Sequence, residues 1–318
     1  MKLGDIYENA IKIGMKNDPR GYDEVLKRLE QNKTEFDELS EEKKEEFDQE
    51  SLKNPYGDSR LLHGNTEREI KTILTGIDVD VGEMVLADRL REKGLSEILV
   101  LAHHPTSVGL SGLYEVMDLQ NDMLASVGVP INVAEGLMGE RISEVQRGIL
   151  PINSNRALDA ARLLDIPLMC CHTPADNCAQ KFVETEIEKA NPQTVGDVIK
   201  LLKNIPEYAE SMKRKAGPEL IAGTEKNQAG KVTVEFTGGT SGSKKAYEKL
   251  SQAGVGSIVT MHMREDHLKE AKKHHLNVII AGHILSDSLG MNILLDEFEK
   301  NGIKIEAFSG LFRVSRVV

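Results

Sequence analysis

Nowhere does the chain carry an apolar run approaching the roughly 20 residues that a helix needs to cross a bilayer, so no membrane span and no membrane partner are expected. Cysteine is scarce. Cys170, Cys171 and Cys178 cannot make a disulfide framework and do not have the spacing of a zinc ribbon, so they read as small buried or half-buried thiols near a site. Tryptophan is absent. Basic residues are in deficit, 40 Lys+Arg against 51 Asp+Glu for a net charge of -11; this excludes a non-specific nucleic-acid binder, which needs a basic face. The opening MKLGDIYENAIKIGMKNDP contains acids and lacks the apolar core of a signal peptide, so a cytoplasmic location is expected. Low-complexity segments are missing, and so is the phosphate-loop order G-x-x-x-x-G-K-[ST].

What is present is a chain of 318 residues, 40% hydrophobic and 29% charged, long enough for one large or two ordinary domains with a sizeable core. Periodicity predicts an α/β fold with helical additions whose repeated strand–helix–strand pattern suggests two related lobes. The parts are a helical N-terminal arm over 1–56, a first α/β lobe over 57–178 with a helical insert over 106–166, a helical connector over 179–226, and a second α/β lobe over 227–318. The arm repeats charged helical patterns such as YDEVLKRLEQ and FDELSEEKKEEF, which suit a solvated face and carry no chemistry. NPYGDSRLLHGN, with His63, reads as a turn-rich linker.

The centre of the pattern is ILVLAHHP. Ile98, Leu99, Val100 and Leu101 make a short strand buried on both faces, and Pro105 ends it, which leaves His103 and His104 at the strand's carboxyl end. That edge is where open α/β sheets place ligands. Upstream, TILTGIDVD and VGEMVLADRLREKG complete a strand–helix–strand unit; near the C-terminus GSIVTMHM, REDHLKEAKKHHL and NVIIAGHILSD form another, again ending on a histidine, His283. The two units suggest a duplication in which the strands that carry His104 and His283 are equivalent. IPLMCCHTPADN is a further short strand with His172 at its end and Asp176 four residues on; Asp287 follows His283 by the same interval. Three imidazoles (His103, His104, His283) and two carboxylates (Asp176, Asp287) form a donor set for two divalent ions sharing a carboxylate.

Two other features read as structural. TGGTSGSKKAYEKL is a glycine-rich turn opening a helix, a tight connection first, although Lys244 and Lys245 would suit a phosphate there. His262, His267, His274 and His275 lie on or beside an exposed helical pattern and read as surface residues.

The segments DSRLLHG (58–64), TILTGIDVDVGEMVLADRLREKGLSEILVLAHHP (72–105), HTPADN (172–177) and KVTVEFTGGTSGS through VIIAGHILSDSLG (231–290) resemble the NGG-one-interacting factor three family, often labelled GTP cyclohydrolase one, type two. The resemblance implies two related, intertwined three-layer α/β/α lobes with two metal ions in a cleft, and a homo-oligomer, commonly a hexamer. It also implies that His104 and Asp176 hold one ion, that His103 and His283 hold the other, and that Asp287 bridges. His172 would stand beside them as a catalytic proton donor. The family usually has Glu where this chain has Asp287, and both the insert and the N-terminal arm are additions. The expected function is metal-dependent hydrolysis through a metal-bridging hydroxide, with Zn, Fe, Mn or Co, on an unidentified, nucleotide-like or phosphorylated small molecule. The alternative is a non-catalytic metal-binding or regulatory protein.

Overall fold

The computed structural model describes residues 1–317. Helix α1 (Leu3–Lys16) places Leu3, Ile6, Tyr7, Ala10, Ile11 and Met15 three or four residues apart along one face, and all are buried. The first helix is therefore a core element rather than an appended arm. The charged pattern holds for the next two helices: α2 (Tyr22–Glu38) buries only Val25 and Leu29, and α3 (Glu41–Glu46) buries nothing. Part of the expected linker forms strand β1 (Arg60–His63).

Strand β2 (Thr72–Gly76), helix α4 (Val81–Glu92) and strand β3 (Ile98–Ala102) form the first strand–helix–strand unit, with every strand residue buried. Asp80 starts α4 with a capping box closed by Glu83. The insert contributes α5 (Ser107–Ser111), α6 (Leu119–Ser126), α7 (Ile131–Ile149) and α8 (Arg156–Leu164) before β4 (Leu168–Cys170). Then come three helices, α9 (Thr173–Ala190), α10 (Val195–Lys203) and α11 (Pro206–Lys213). The second half runs β5 (Glu219–Ala222), β6 (Lys231–Glu235), α12 (Ala246–Gln252), β7 (Val255–Thr260), α13 (Glu265–Lys273), β8 (Asn277–Ile280), α14 (His283–Lys300) and β9 (Lys304–Ala307).

One sheet has the order β1-β4-β3-β2-β9 and the other β5-β8-β7-β6. In each, the first strand is antiparallel and the rest are parallel, four in one sheet and three in the other, with a register irregularity at matching places, Leu61/His63 and Leu220/Ala222. The duplication is real, but the equivalence differs from the one read in the sequence. Strand β3 corresponds to β7 and β4 to β8, so the strand that leads to His283 matches the one that leads to His172, not the one that leads to His104. The long insert lies in the β3-to-β4 crossover and hides its match to β7-α13-β8. The last strand, β9, returns to the first sheet beside β2, which interleaves the two halves.

Strand alternation divides the core. In the first sheet Leu74, Val100 and Leu168 face α4 and α8, whereas Ile73, Leu99, Leu101 and Met169 face α1 and α14. In the second, Val234, Val259 and Ile279 pack with residues of α9, α10 and α14, whereas Ile258 and Val278 pack with α12, α13 and the insert helices α6 and α7. Helices α9 and α14 thus form a layer shared by both sheets. At their crossing Gly290 lies so close that a Cβ there would come within 2.2 Å of the Ala175 carbonyl oxygen. Helix α1 meets α9 in the same manner: a Cβ on Gly14 would lie 2.5 Å from that of Pro174. Among the described residues, no helix is long and apolar enough to cross a membrane.

Candidate metal centre

Both central helices begin at the carboxyl edge of a sheet. His172 is the residue before α9 and His283 the first residue of α14, and each is followed four residues later by an aspartate, Asp176 or Asp287. One helical turn places each pair on a common side. His103 and His104 follow directly on β3. The five residues expected to hold metal and the expected proton donor therefore meet at one place. His103, His172, Asp176 and Asp287 are buried there, and His104 and His283 are half-buried.

The imidazoles are oriented alike. His103 Nδ1 lies 3.3 Å from the Cys171 carbonyl oxygen, His104 Nδ1 2.7 Å from Asp78 Oδ1, and His172 Nδ1 2.8 Å from Asp58 Oδ2. An acceptor on Nδ1 fixes the proton there and leaves Nε2 as the inward-facing atom. His103 Nε2 stands 3.5 Å from Asp176 Oδ1 and 3.6 Å from Asp287 Oδ1. The other Asp287 oxygen lies 3.5 Å from His104 Nε2 and 3.6 Å from His283 Nε2. His172 Nε2 lies 3.6 Å from Asp176 Oδ2. These separations are long for hydrogen bonds but suit the edges of a coordination shell, since ligand atoms about 2.0–2.1 Å from one ion stand roughly 3.3 Å apart.

The donor atoms fall into groups, each within 4.8 Å: His103 with Asp176 and Asp287, His104 with His283 and Asp287, and His103 with His104 and His172. The first two groups share Asp287, one oxygen to each. They pair His103 with Asp176 and His104 with His283, the reverse of the pairing implied by resemblance. Despite being one methylene shorter than the usual Glu, Asp287 reaches both groups.

Charge in this pocket is finely poised. Burial pushes His103 down to about 4, so its ring is neutral and its lone pair available at neutral pH. Burial also raises Asp176, to about 8, and the neighbouring Asp287 and Asp58 add to it. Burial acts on Asp287 in the same direction, but His103, His104 and His283 outweigh it and hold its carboxyl well below the usual range. For His172, burial disfavours the charged ring, yet Asp176 and Asp58 together lift it to about 9. Two buried carboxylates side by side call for positive charge, which divalent cations supply.

Sequence reading missed Asp58. Arg60 pairs with Cys170 in the antiparallel β1–β4 ladder, so the same register two residues further on sets Asp58 opposite His172. Asp58 is fully buried and also accepts hydrogen bonds from Thr173 Oγ1 at 2.6 Å and Ser59 Oγ at 3.0 Å. In the second half the corresponding stretch before β5 offers Ala216, whose carbonyl oxygen packs on Gly282. His172 thus has a carboxylate behind it and, among the described residues, His283 has none. In the sequence Asp58 opens the segment DSRLLHG, one of those that carry the resemblance, but nothing in its spacing ties it to His172.

The three cysteines are buried as expected, and burial raises Cys170 to about 11 and Cys178 to about 12, which leaves them inert. His262 is not a bystander: its ring packs edge-on against His283 at 4.8 Å. His267 is buried and meets the Tyr247 hydroxyl at 3.1 Å. The glycine-rich turn is occupied from within, because Gln120 of α6 donates to the carbonyls of Gly238 and Thr240, both at 2.7 Å, while Lys244 pairs with Asp266 and Lys245 with Glu140. Gln120→Ala would leave the Thr240 carbonyl without this donor and the Gly238 carbonyl with only the Thr240 N–H, at a cost of about 1 kcal/mol. Hydrogen exchange should then quicken over residues 238–243 and not in the first sheet.

No family model matches the chain, and no curated protein matches it either. Among solved structures it is similar to a NIF3 superfamily protein from Sphaerobacter thermophilus, with 25% identity over 80% of this chain and 92% of the other and a TM-score of 0.71. It also matches a Bacillus cereus protein related to NIF3, at 12% identity over 82% and 92% of the two chains with a TM-score of 0.42. A protein from Thermus thermophilus matches at 15% identity over 83% and 92%, with a TM-score of 0.46. In both its motifs and its fold, the chain is thus similar to the NIF3 superfamily protein.

Proposed function

We propose that the chain is a two-metal hydrolase in which His103, Asp176 and one Asp287 oxygen hold one divalent ion, and His104, His283 and the other Asp287 oxygen hold the second. One observation carries this reading. His103 Nε2, Asp176 Oδ1 and both Asp287 oxygens are buried at a common point with no hydrogen-bond partner among the described residues, whereas protein interiors otherwise satisfy such atoms. Mixed imidazole and carboxylate donors suit Zn, Fe, Mn or Co. Two such ions, when bound, supply Lewis acidity and bring the pKa of coordinated water towards neutrality.

The chain's own groups have distinct tasks. Asp78 and the Cys171 carbonyl orient His104 and His103, and Asp287 sets the spacing of the two groups. His172, anchored through Nδ1 on Asp58, presents Nε2 to the adjoining cleft and hands a proton to the leaving group. That cleft, lined by residues of the insert and the second sheet, favours hydrolysis over a metal store or regulator, which needs no substrate space beside its ions. On the outer layer, Val85, Leu86 and Leu163 of α4 and α8 are exposed, an apolar surface of the kind that the homo-oligomer implied by resemblance would cover.

The test is turnover by metal-reconstituted protein of p-nitrophenyl phosphate, bis-p-nitrophenyl phosphate, p-nitrophenyl acetate and GTP. At least one should be hydrolysed, and loss of activity on chelation should be reversed by metal. No turnover of any by fully loaded protein would turn the balance to the non-catalytic reading. His172→Gln should keep its metal but turn over a substrate with a poor leaving group about 100-fold more slowly. With p-nitrophenyl esters, whose leaving group needs no proton, the same variant should be nearly normal. Metal loss in His172→Gln would place the ring among the ligands instead.

A further inference from the structure

A cavity of about 110 Å³ lies between the insert and the second sheet, and His172, Asp176, His283 and Asp287 line it together with Glu235. For scale, an engineered hole of about 150 Å³ holds benzene. Glu235 ends β6, and alternation along the strand turns Thr233 and Glu235 to this side while Val234 packs in the opposite core. Among the described residues, no side chain donates a hydrogen bond or offers an ion pair to its carboxylate, and burial alone pushes it up to about 7. Met123, Leu124 and Met138 of the insert supply apolar wall, and Tyr247 supplies an aromatic ring. In the first sheet the position that corresponds to Glu235 is Gly76, since Gly76 pairs with Ala102 as Glu235 pairs with Thr260. The acid therefore belongs to this compartment and not to the repeated fold.

A half-buried carboxylate beside thioethers, leucine and a tyrosine ring, without a counterion, is a costly arrangement for the protein alone. A ligand that brings a cation on an aliphatic stem satisfies every wall: the charge meets Glu235 and the tyrosine face, and the stem meets Met123 and Leu124. We propose that this compartment binds the ammonium group of a small aliphatic amine, with Glu235 as its counterion, and that substrates of the neighbouring centre carry such a group. The second clause rests on the hydrolase reading; the first does not.

The test uses n-butylammonium and 1-butanol as probes, equal in size and differing in charge, with the metal-loaded full-length protein at about pH 8, where a Glu235 carboxyl is ionised and the amine protonated. Calorimetry or saturation-transfer NMR should show butylammonium binding roughly tenfold or more tightly than butanol. Glu235→Gln, which keeps size and fold, should erase that preference and leave butanol binding unchanged. Met123→Trp, which fills the space, should abolish both. Equal binding of the two probes, an unchanged preference in Glu235→Gln, or no binding of butylammonium would each overturn the proposal. A failure here with intact hydrolysis of the aryl esters would leave the metal-centre reading standing, and the converse result would separate the two the other way.

Discussion

Asp287→Asn is expected to lose most of its metal. The amide preserves size and one oxygen, but the charge that offsets two dications a few ångströms apart is gone, and one of the two groups keeps only a nitrogen donor at that corner. The two carboxylate oxygens of Asp287 stand 3.6 Å and 3.5 Å from His103 Nε2 and His104 Nε2 respectively, so either orientation of the amide fails one group. Removing a partner outside the coordination shell commonly weakens metal binding about 10- to 100-fold, and losing the shared carboxylate should exceed that range. Asp287→Glu, by contrast, restores the side chain usual in the family and should retain metal. Elemental analysis of the purified variants decides it, and full occupancy in Asp287→Asn would remove the bridging role.

Gly290→Ala should destabilise the whole protein by about 3 kcal/mol, the upper part of the range for forcing a methyl group into a packed interior. The new Cβ would come within 2.2 Å of the Ala175 oxygen and 2.7 Å of its carbonyl carbon; both are backbone atoms of α9, and neither can swing aside. The only relief is separation of α9 from α14. These helices carry Asp176 and Asp287, so metal content should fall together with the denaturation midpoint. An alanine variant as stable as the parent would show that the crossing is looser than the close approach implies. A variant that is destabilised yet retains its metal would show that the centre does not depend on this crossing.

The residues of the centre were legible because the chemistry sits where chain patterns are sharpest. Strand β3 is a run of apolar residues closed by two histidines and a proline, and both aspartates follow their histidines by one helical turn. What was not legible has specific causes. The long insert between Pro105 and Pro167 breaks the spacing of the first half, so β2-α4-β3 was matched with β7-α13-β8, although its counterpart is β6-α12-β7. Asp58 lies 114 positions from the ring it orients, and only the β1–β4 register brings them together. Helix α1 looked like the start of a charged arm, but its inner face is apolar and its Gly14 carbonyl accepts from Asn177, one residue after Asp176. The pairing of ligands could not come from spacing at all, because it depends on which way each imidazole turns, and that is set by Asp78, Asp58 and the Cys171 carbonyl.

Anomalous scattering from crystals of protein purified without added metal is the most direct measurement. Two peaks are expected, one beside His103 and Asp176 and one beside His104 and His283, both in contact with Asp287, and their absorption edges would identify the element. Absence of metal at this place in protein that retains its fold, or a single ion bound without Asp287, would contradict the two-metal centre.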